Sequence, residues 1–118
     1  MKRLLVVEHN RLFGDGLALL LEWRTGLSSV QAGWLVEARG ILGGAPQKPA
    51  CVVVDLDLPG REGAEVLKEL DGVPVLALIG SRNLKRQSEA MGLGADEVLP
   101  TTGSVEKIAA AVERLVGR

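Results

Sequence analysis

Short runs of consecutive apolar residues constrain the fold of this chain more than any other feature. Three of them stand out, at residues 4–7, 51–54 and 73–79. An apolar run without polar alternation is typical of a strand that is buried on both faces, as in a parallel sheet. Two weaker candidates, residues 27–32 and 97–99, complete a set of five predicted strands.

The segments between these predicted strands contain apolar residues at helical spacing. The clearest apolar stripe covers residues 105–116, and Ser104 is well placed to cap that helix. In the first helix Leu12 is predicted to lie on the apolar stripe, and in the fourth Leu84 and Met91 are the expected core contacts. These and the other predicted helices cover residues 12–21, 35–42, 63–70 and 81–91.

The alternation of strands and helices predicts an α/β fold. A strand followed by a helix, five times in succession, indicates a doubly wound parallel sheet with helices on both faces and right-handed crossovers. A length of 118 residues with 47% hydrophobic residues suits one globular unit, and no linker or internal repeat divides it. We therefore expect residues 1–118 to form a single domain.

Charge and composition exclude several classes of function. The net charge is −1 and aromatic residues make up 3%, so we expect no direct binding of nucleic acid. No apolar run approaches the roughly 20 residues that span a bilayer, so no membrane association is expected. The single cysteine, Cys51, lies in an apolar run and suits a buried thiol in the reducing cytoplasm. The basic residues Arg82, Lys85 and Arg86 are expected on a solvated helix face.

Polar side chains follow the predicted strands at the sheet edge where doubly wound folds bind ligands. Glu8 and His9 follow the first strand, and Asp55 and Asp57 follow the third. Two converging carboxylates suit Mg²⁺, and an Asp beside such an ion could accept a phosphoryl group. The residues alone leave open that these carboxylates simply face water. They also leave open a transition-metal site of His9 with Glu8 and Asp55, against a histidine that is only hydrogen-bonded.

The segment VVDLDLPG at residues 53–60, followed by Gly63, resembles the phosphoacceptor segment of response-regulator receiver domains. Residues 5–9 and 12–17 resemble the first strand and helix of that family, most closely in regulators with a LuxR-type helix-turn-helix output. The resemblance covers nearly the whole chain. It implies a CheY-like, flavodoxin-like (βα)5 fold with strand order 2-1-3-4-5. It also implies a signalling module, not an enzyme, that takes phosphate from a histidine kinase onto an Asp with the help of Mg²⁺.

Carried over by position, the resemblance assigns roles to three residues. Asp55 matches the phosphoacceptor, and Glu8 matches the first of two metal-binding acids. Asp57 matches the position that lends its backbone carbonyl to the metal. Any Mg²⁺ site in this chain is therefore expected to involve these three residues.

Three other positions depart from the family pattern. His9 stands where the second metal-binding acid is expected, and imidazole is a poor ligand for Mg²⁺. Ile79 stands where a Ser or Thr hydroxyl should bond the phosphoryl oxygen. Thr101 stands where a Lys should pair with the phosphate, so a charge-assisted contact becomes neutral at best. Val98 also replaces the aromatic residue expected near the fifth strand.

These departures lead to the prediction of an atypical receiver, or pseudo-receiver. It would act by protein–protein contact, with weak or absent phosphorylation of Asp55 and at most weak Mg²⁺ binding. The expected partners are an output domain or another regulator, a histidine kinase if phosphorylation is retained, and a second copy of the chain in a homodimer. The alternatives are a conventional phosphoreceiver that controls transcription and a small flavodoxin-like cofactor-binding protein.

Overall fold

The computed structural model describes residues 2–44, 47–80 and 84–117 of the chain. Residues 81–83 of the predicted fourth helix, including Arg82 of the predicted basic face, lie outside the described residues. The strands and helices are β1 (Leu4–Val7), α1 (Arg11–Thr25), β2 (Ser29–Ala32), α2 (Leu35–Gly44), β3 (Cys51–Asp55), α3 (Glu62–Glu69), β4 (Val75–Ile79), α4 (Leu84–Gly92), β5 (Glu97–Pro100) and α5 (Val105–Val116). A single 3₁₀ turn, Pro59–Arg61, precedes α3.

The five strands form one parallel sheet in the order β2-β1-β3-β4-β5, which confirms the predicted fold. The strand order reverses between β1 and β3, and these two strands are neighbours with Val7 beside Val54. Doubly wound sheets bind ligands at such a switch point, beyond the carboxyl ends of the strands. The pairing therefore brings the residue after Val7 next to Asp55, the last residue of β3.

Alternate residues of the central strands pack against helices on opposite faces of the sheet. Leu5 and Val52 belong to a core cluster with side chains of α2, α3 and α4. Their neighbours Leu4 and Cys51 belong to a second cluster with α1 and α5. Burial on both faces is the physical reason why these strands appear in the sequence as unbroken apolar runs.

Three apolar positions in two helices were predicted wrongly. Leu12 is 85% exposed, because it lies nine residues before the buried Leu21 and therefore on the opposite side of α1. Leu84 and Met91 of α4 are 83% and 51% exposed, whereas Ala90 is fully buried. Since α4 turns Ala90 toward the sheet, the helical period turns the adjacent Met91 away from it.

Several predicted strand boundaries shift by one or two residues. β4 begins at Val75, after Pro74, whose ring has no N–H to give to the ladder. β2 begins at Ser29 instead of residue 27. Asp55 extends β3 and Pro100 extends β5 by one residue each. The extension of β3 matters for function because it makes the Asp55 carboxylate part of the sheet edge.

Two local predictions are confirmed. The Ser104 hydroxyl accepts a hydrogen bond from the backbone N–H of Glu106 at 3.2 Å and caps α5. Cys51 is fully buried, and burial raises the pKa of its thiol to about 12. Within the described ranges, every helix is too short or too polar to span a bilayer.

Candidate functional site

Three side chains meet at the switch point between β1 and β3. His9 Nδ1 lies 3.1 Å from Asp55 Oδ2 and 3.5 Å from Glu8 Oε1. The potential ligand atoms of all three residues lie within 4.8 Å of one another. The structure therefore brings together the acid pair and the histidine that the sequence placed after the first and third strands.

Backbone N–H groups hold one oxygen of each of the two carboxylates. The N–H of Asn10 donates to Glu8 Oε1 at 3.0 Å, and the N–H of Asp57 donates to Asp55 Oδ1 at 2.8 Å. Because Asp55 Oδ1 is held by the backbone, its second oxygen points to His9. Glu8 and Asp55 are only 7% and 4% exposed, whereas the His9 side chain is 39% exposed and gives access from solvent.

Burial is the main electrostatic influence on the acid pair. It raises the pKa of Glu8 from 4.5 to about 7, and contact with Asp55 adds to the rise. The hydrogen bond from Asn10 and the nearby His9 act in the opposite direction. Two buried carboxylates in contact are costly when both are ionised. The pocket therefore favours a bound proton or a bound cation.

The donor set does not match the preference of Mg²⁺, the ion that receiver domains typically use. Glu8 and Asp55 supply oxygen ligands of the kind that Mg²⁺ prefers, and the family resemblance implies the backbone carbonyl of Asp57 as a further ligand. The third converging donor is the His9 imidazole, a nitrogen ligand that suits transition metals better. We therefore expect weaker Mg²⁺ binding than a site with three carboxylates would give.

The Asp57 side chain has a structural contact that the sequence did not predict. Its carboxylate accepts a hydrogen bond from the Gly80 N–H and forms an ion pair with Arg86 of α4, with a 2.6 Å N–O distance. Arg86 also donates to the Leu56 carbonyl at 3.3 Å. The Arg86 side chain keeps 39% exposure, as expected for a solvated helix face, but its guanidinium also joins α4 to the loop after β3. No spacing rule in the sequence would have found this pair.

Gly63 lets the first turn of α3 pack directly against the end of β3. A Cβ atom at this position would lie 2.4 Å from the Asp55 carbonyl oxygen and 2.8 Å from the Leu56 Cα. Both neighbours are backbone atoms, so neither can rotate away. The sequence contains Gly63 in the motif, but only the structure gives the physical reason for the glycine.

Ile79 and Thr101 lie together at the neighbouring strand ends. Ile79 is 1% exposed and belongs to the core cluster with α2, α3 and α4. The Thr101 hydroxyl donates to the Ile79 carbonyl at 3.1 Å, and the Thr101 N–H donates to the same oxygen at 2.8 Å. The hydroxyl of Thr101 is thus engaged by the main chain of β4.

Trp34 borders the pocket on the side of α2. Its ring centroid lies 6.4 Å from that of His9, and the residue is 46% exposed. Its proximity to His9 was not predicted, and it makes the indole a fluorescent reporter beside the site.

A doubly wound parallel sheet with two buried carboxylates at its switch point is the arrangement of a receiver domain. The chain belongs to the response regulator receiver domain family, whose model matches residues 4–113. This family comprises the receivers of two-component signalling systems. The assignment favours the receiver over the alternative of a flavodoxin-like cofactor binder.

Two curated regulators show the relationship by sequence. The transcriptional regulatory protein QseB of Escherichia coli O157:H7 is 33% identical over 125 residues, which cover 98% of this chain and 53% of QseB. The transcriptional regulatory protein FixJ of Azorhizobium caulinodans is 33% identical over 118 residues, which cover 96% of this chain and 54% of FixJ. The chain thus spans about half the length of the curated relatives it matches.

Solved structures agree with the fold. A response regulator receiver protein from Burkholderia phymatum superposes with a TM-score of 0.86 at 24% identity, over 99% of this chain and 96% of that chain. A response regulator protein from Burkholderia pseudomallei superposes with a TM-score of 0.83 at 29% identity, over 99% of this chain and 69% of that chain. The second structure carries a phosphorylated aspartic acid, a calcium ion and citrate.

Proposed function

We propose that this domain is an atypical receiver that signals by protein contact, with weak or absent phosphorylation of Asp55. One observation carries the proposal: the His9 imidazole lies 3.1 Å from Asp55 Oδ2, the carboxylate oxygen that the backbone leaves available. An ionised carboxylate can only accept hydrogen bonds, so when Asp55 is ionised the imidazole must donate Nδ1–H in this contact. The contact withdraws electron density from the oxygen that would attack phosphorus.

The neighbouring strand ends support the same proposal. Phosphoryl transfer depends mostly on positioning and on neutralising the charge of the equatorial oxygens. The Ile79 side chain has no hydrogen-bond donor, and the Thr101 hydroxyl already donates to the Ile79 carbonyl. A phosphoryl oxygen left without a donor here would cost about 1–3 kcal/mol. Because His9 weakens Mg²⁺ binding, the pocket also lacks the positive charge of a bound ion beside the phosphoryl group.

The surface formed by α4, β5 and α5 is the proposed contact face. Leu84 and Met91 of α4 are exposed there, and they line a shallow groove together with Val98 and Arg114. Exposed apolar side chains beside a charged rim are typical of protein interfaces. The proposed occupants are an output domain, another regulator or a second copy of the chain.

The proposal extends to the setting of the domain. Its free, fully buried Cys51 thiol suits the reducing cytoplasm. We propose that residues 1–118 act there as one receiver unit that itself binds neither DNA nor a membrane. The match to half the length of transcriptional regulators favours an output in transcription.

A conventional phosphoreceiver is the second candidate function. Asp55 is buried beside Glu8 at the switch point, and the phosphorylated Burkholderia pseudomallei relative has the same fold at 29% identity. In that case a histidine kinase would be the partner, and Mg²⁺ would bind in spite of His9.

Incubation with acetyl phosphate and Mg²⁺, followed by intact-mass measurement, separates the two candidates. We expect little or no phosphoryl mass increment on the parent protein. An Asp55→Asn variant gives the background, and a conventional receiver assayed in parallel shows that the reagent is active. Near-complete modification that disappears in Asp55→Asn would establish the conventional receiver instead.

A further inference from the structure

We propose that Glu8, His9 and Asp55 form a site for a divalent transition metal of the zinc class. The inference deepens the proposed function, because it rests on the weak Mg²⁺ binding that His9 causes in the same pocket. A bound ion of this kind would occupy Asp55 Oδ2 and so compete directly with phosphoryl transfer.

The spacing of the donor atoms fits a shared ion. Zinc–nitrogen and zinc–oxygen bonds of about 2.0–2.2 Å place two ligands of a tetrahedral ion roughly 3.3–3.6 Å apart. His9 Nδ1 lies 3.1 Å from Asp55 Oδ2 and 3.5 Å from Glu8 Oε1. Both His9 contacts are therefore close to the spacing that a shared ion requires, and the ligand atoms of all three side chains lie within 4.8 Å of one another. Because three protein ligands leave a fourth position open, a water molecule would complete the coordination.

The chemistry of the donors selects the metal. Imidazole nitrogen suits zinc, copper, nickel and cobalt, whereas Mg²⁺ prefers oxygen and gives up its waters reluctantly. A divalent ion also neutralises Glu8 and Asp55, which are in contact and almost fully buried. Binding would displace the proton that His9 Nδ1 shares with Asp55, and this proton would leave to solvent.

Neighbouring groups hold the ligands in place and leave the site open to solvent. Backbone N–H groups of Asn10 and Asp57 hold the two carboxylates, as outer-shell donors do in established metal centres. Partial exposure of His9 leaves a path for the ion from solvent. The ligands come from the loop after β1 and from the last residue of β3, so a bound ion would cross-link the two strands at the switch point.

The chain contains few other residues that bind transition metals strongly, so metal binding can be assigned to this site. His9 is the only histidine and Cys51 the only cysteine in the sequence. Cys51 is fully buried at the opposite end of β3, four residues from Asp55 and therefore about 13 Å away along the strand. Untagged protein thus offers a single imidazole whose ring signals report binding directly.

The experiment is calorimetric titration of the untagged chain with Zn²⁺ and, separately, with Mg²⁺. We expect one Zn²⁺ per chain, bound about tenfold or more tightly than Mg²⁺. His9→Ala should lose this preference, and His9→Asp should shift it toward Mg²⁺. Glu65→Gln, a surface carboxylate paired with Lys68, is the control that should bind Zn²⁺ as the parent does.

Measurements on the parent protein keep the test valid if a pocket variant fails to fold. Co²⁺ should produce visible absorption of a four- or five-coordinate ion, and Zn²⁺ should move the His9 ring resonances. Zn²⁺ binding no tighter than Mg²⁺, unchanged His9 resonances, or an unaltered Zn²⁺ affinity in folded His9→Ala would overturn the inference. These readouts are independent of the acetyl phosphate assay. Near-complete phosphorylation in that assay would reject the proposed lack of phosphorylation without deciding the metal preference.

Discussion

At the scale of single residues, the imidazole of His9 and the buried acid pair decide the chemistry of the pocket. Glu8 and Asp55 lie in contact with little exposure to water, and His9 shares the oxygen of Asp55 that the backbone does not hold. This arrangement stores unfavourable carboxylate repulsion. Two predictions about stability follow from it.

The stability of the domain should fall as the pH rises from about 4.5 to about 7. Burial raises the pKa of Glu8 from 4.5 to about 7, so in this window the folded state keeps a proton that the unfolded state has released. The full loss would be about 3 kcal/mol at most, from about 1.4 kcal/mol per pKa unit. Urea unfolding at several pH values measures it, and the Glu8→Gln variant should show a flatter profile. A profile identical to that of the parent would show that Glu8 does not titrate in this way.

Asp55→Asn should leave partner binding intact and stabilise the domain slightly at pH 8. The amide keeps the shape of the side chain and removes one of two adjacent negative charges, for a gain of about 1 kcal/mol. Chemical unfolding of parent and variant measures the difference, and Asp71→Asn, at an exposed position, is the control. Lower stability in Asp55→Asn would mean that attraction between Asp55 and His9 outweighs the repulsion from Glu8.

At the scale of elements, the loop after β3 is tied to two helices by different means. Gly63 allows α3 to approach the Asp55 carbonyl at backbone contact distance, and the Arg86–Asp57 pair joins α4 to the same loop. The first contact is close packing and the second is a partly exposed ion pair. The two contacts should therefore differ greatly in their contribution to stability.

Gly63→Ala should destabilise the domain by about 2 kcal/mol or more, because the new Cβ overlaps two backbone atoms that cannot move independently. Gly16→Ala is the matched control, since Gly16 lies in α1 and its Cβ would meet nothing within 4 Å. That substitution should stabilise the helix by about 0.5–1 kcal/mol. Thermal unfolding of both variants tests the contrast, and equal effects would contradict the packing argument.

Arg86→Met should change global stability by less than about 1 kcal/mol, because the side chains of the ion pair are more than one third exposed. Its effect should appear locally, as faster amide hydrogen exchange in α4. Arg61→Met, which removes a more exposed pair with Glu89 of the same helix, serves as the comparison. Unchanged exchange in α4 would show that Arg86 does not anchor the helix.

At the scale of the whole molecule, the pocket is assembled at the carboxyl ends of four strands of the sheet, β1, β3, β4 and β5. His9, Ile79 and Thr101 come from three different strand ends, and each is a position where we predict a departure from the family pattern. Catalytic groups that act as a unit contribute far from additively. Restoring function should therefore require several positions together.

The triple variant His9→Asp, Ile79→Thr and Thr101→Lys should gain Mg²⁺ binding and phosphorylation of Asp55, with single substitutions doing much less. Without Mg²⁺ its melting temperature should be lower than that of the parent. The variant holds three clustered carboxylates, places a hydroxyl at a buried position and loses the Thr101 bond to the Ile79 carbonyl. Added Mg²⁺ should then raise the melting temperature. Thermal melts and intact mass after acetyl phosphate measure both effects, and a folded triple variant that responds to neither would reject this assignment of roles.

Periodicity and local residue chemistry were enough to predict several parts of this protein. Unbroken apolar runs predicted the strands of a parallel sheet, because burial on both faces removes the need for polar alternation. Strand-end positions predicted that Glu8, His9 and Asp55 would share one edge of the sheet. The helix cap at Ser104 was predictable for the same local reason.

The side of each helix that faces the core, and the pairing of polar groups, depend on how the elements pack against one another. Leu12 fits an apolar stripe in one dimension, yet α1 turns it to solvent. Arg86 and Asp57 are 29 residues apart, so their pairing depends on how α4 is placed over the loop after β3. The cost of a Cβ at Gly63 likewise arises from a backbone contact across two elements. Such contacts join residues far apart in the chain, and no local pattern of residue types encodes them.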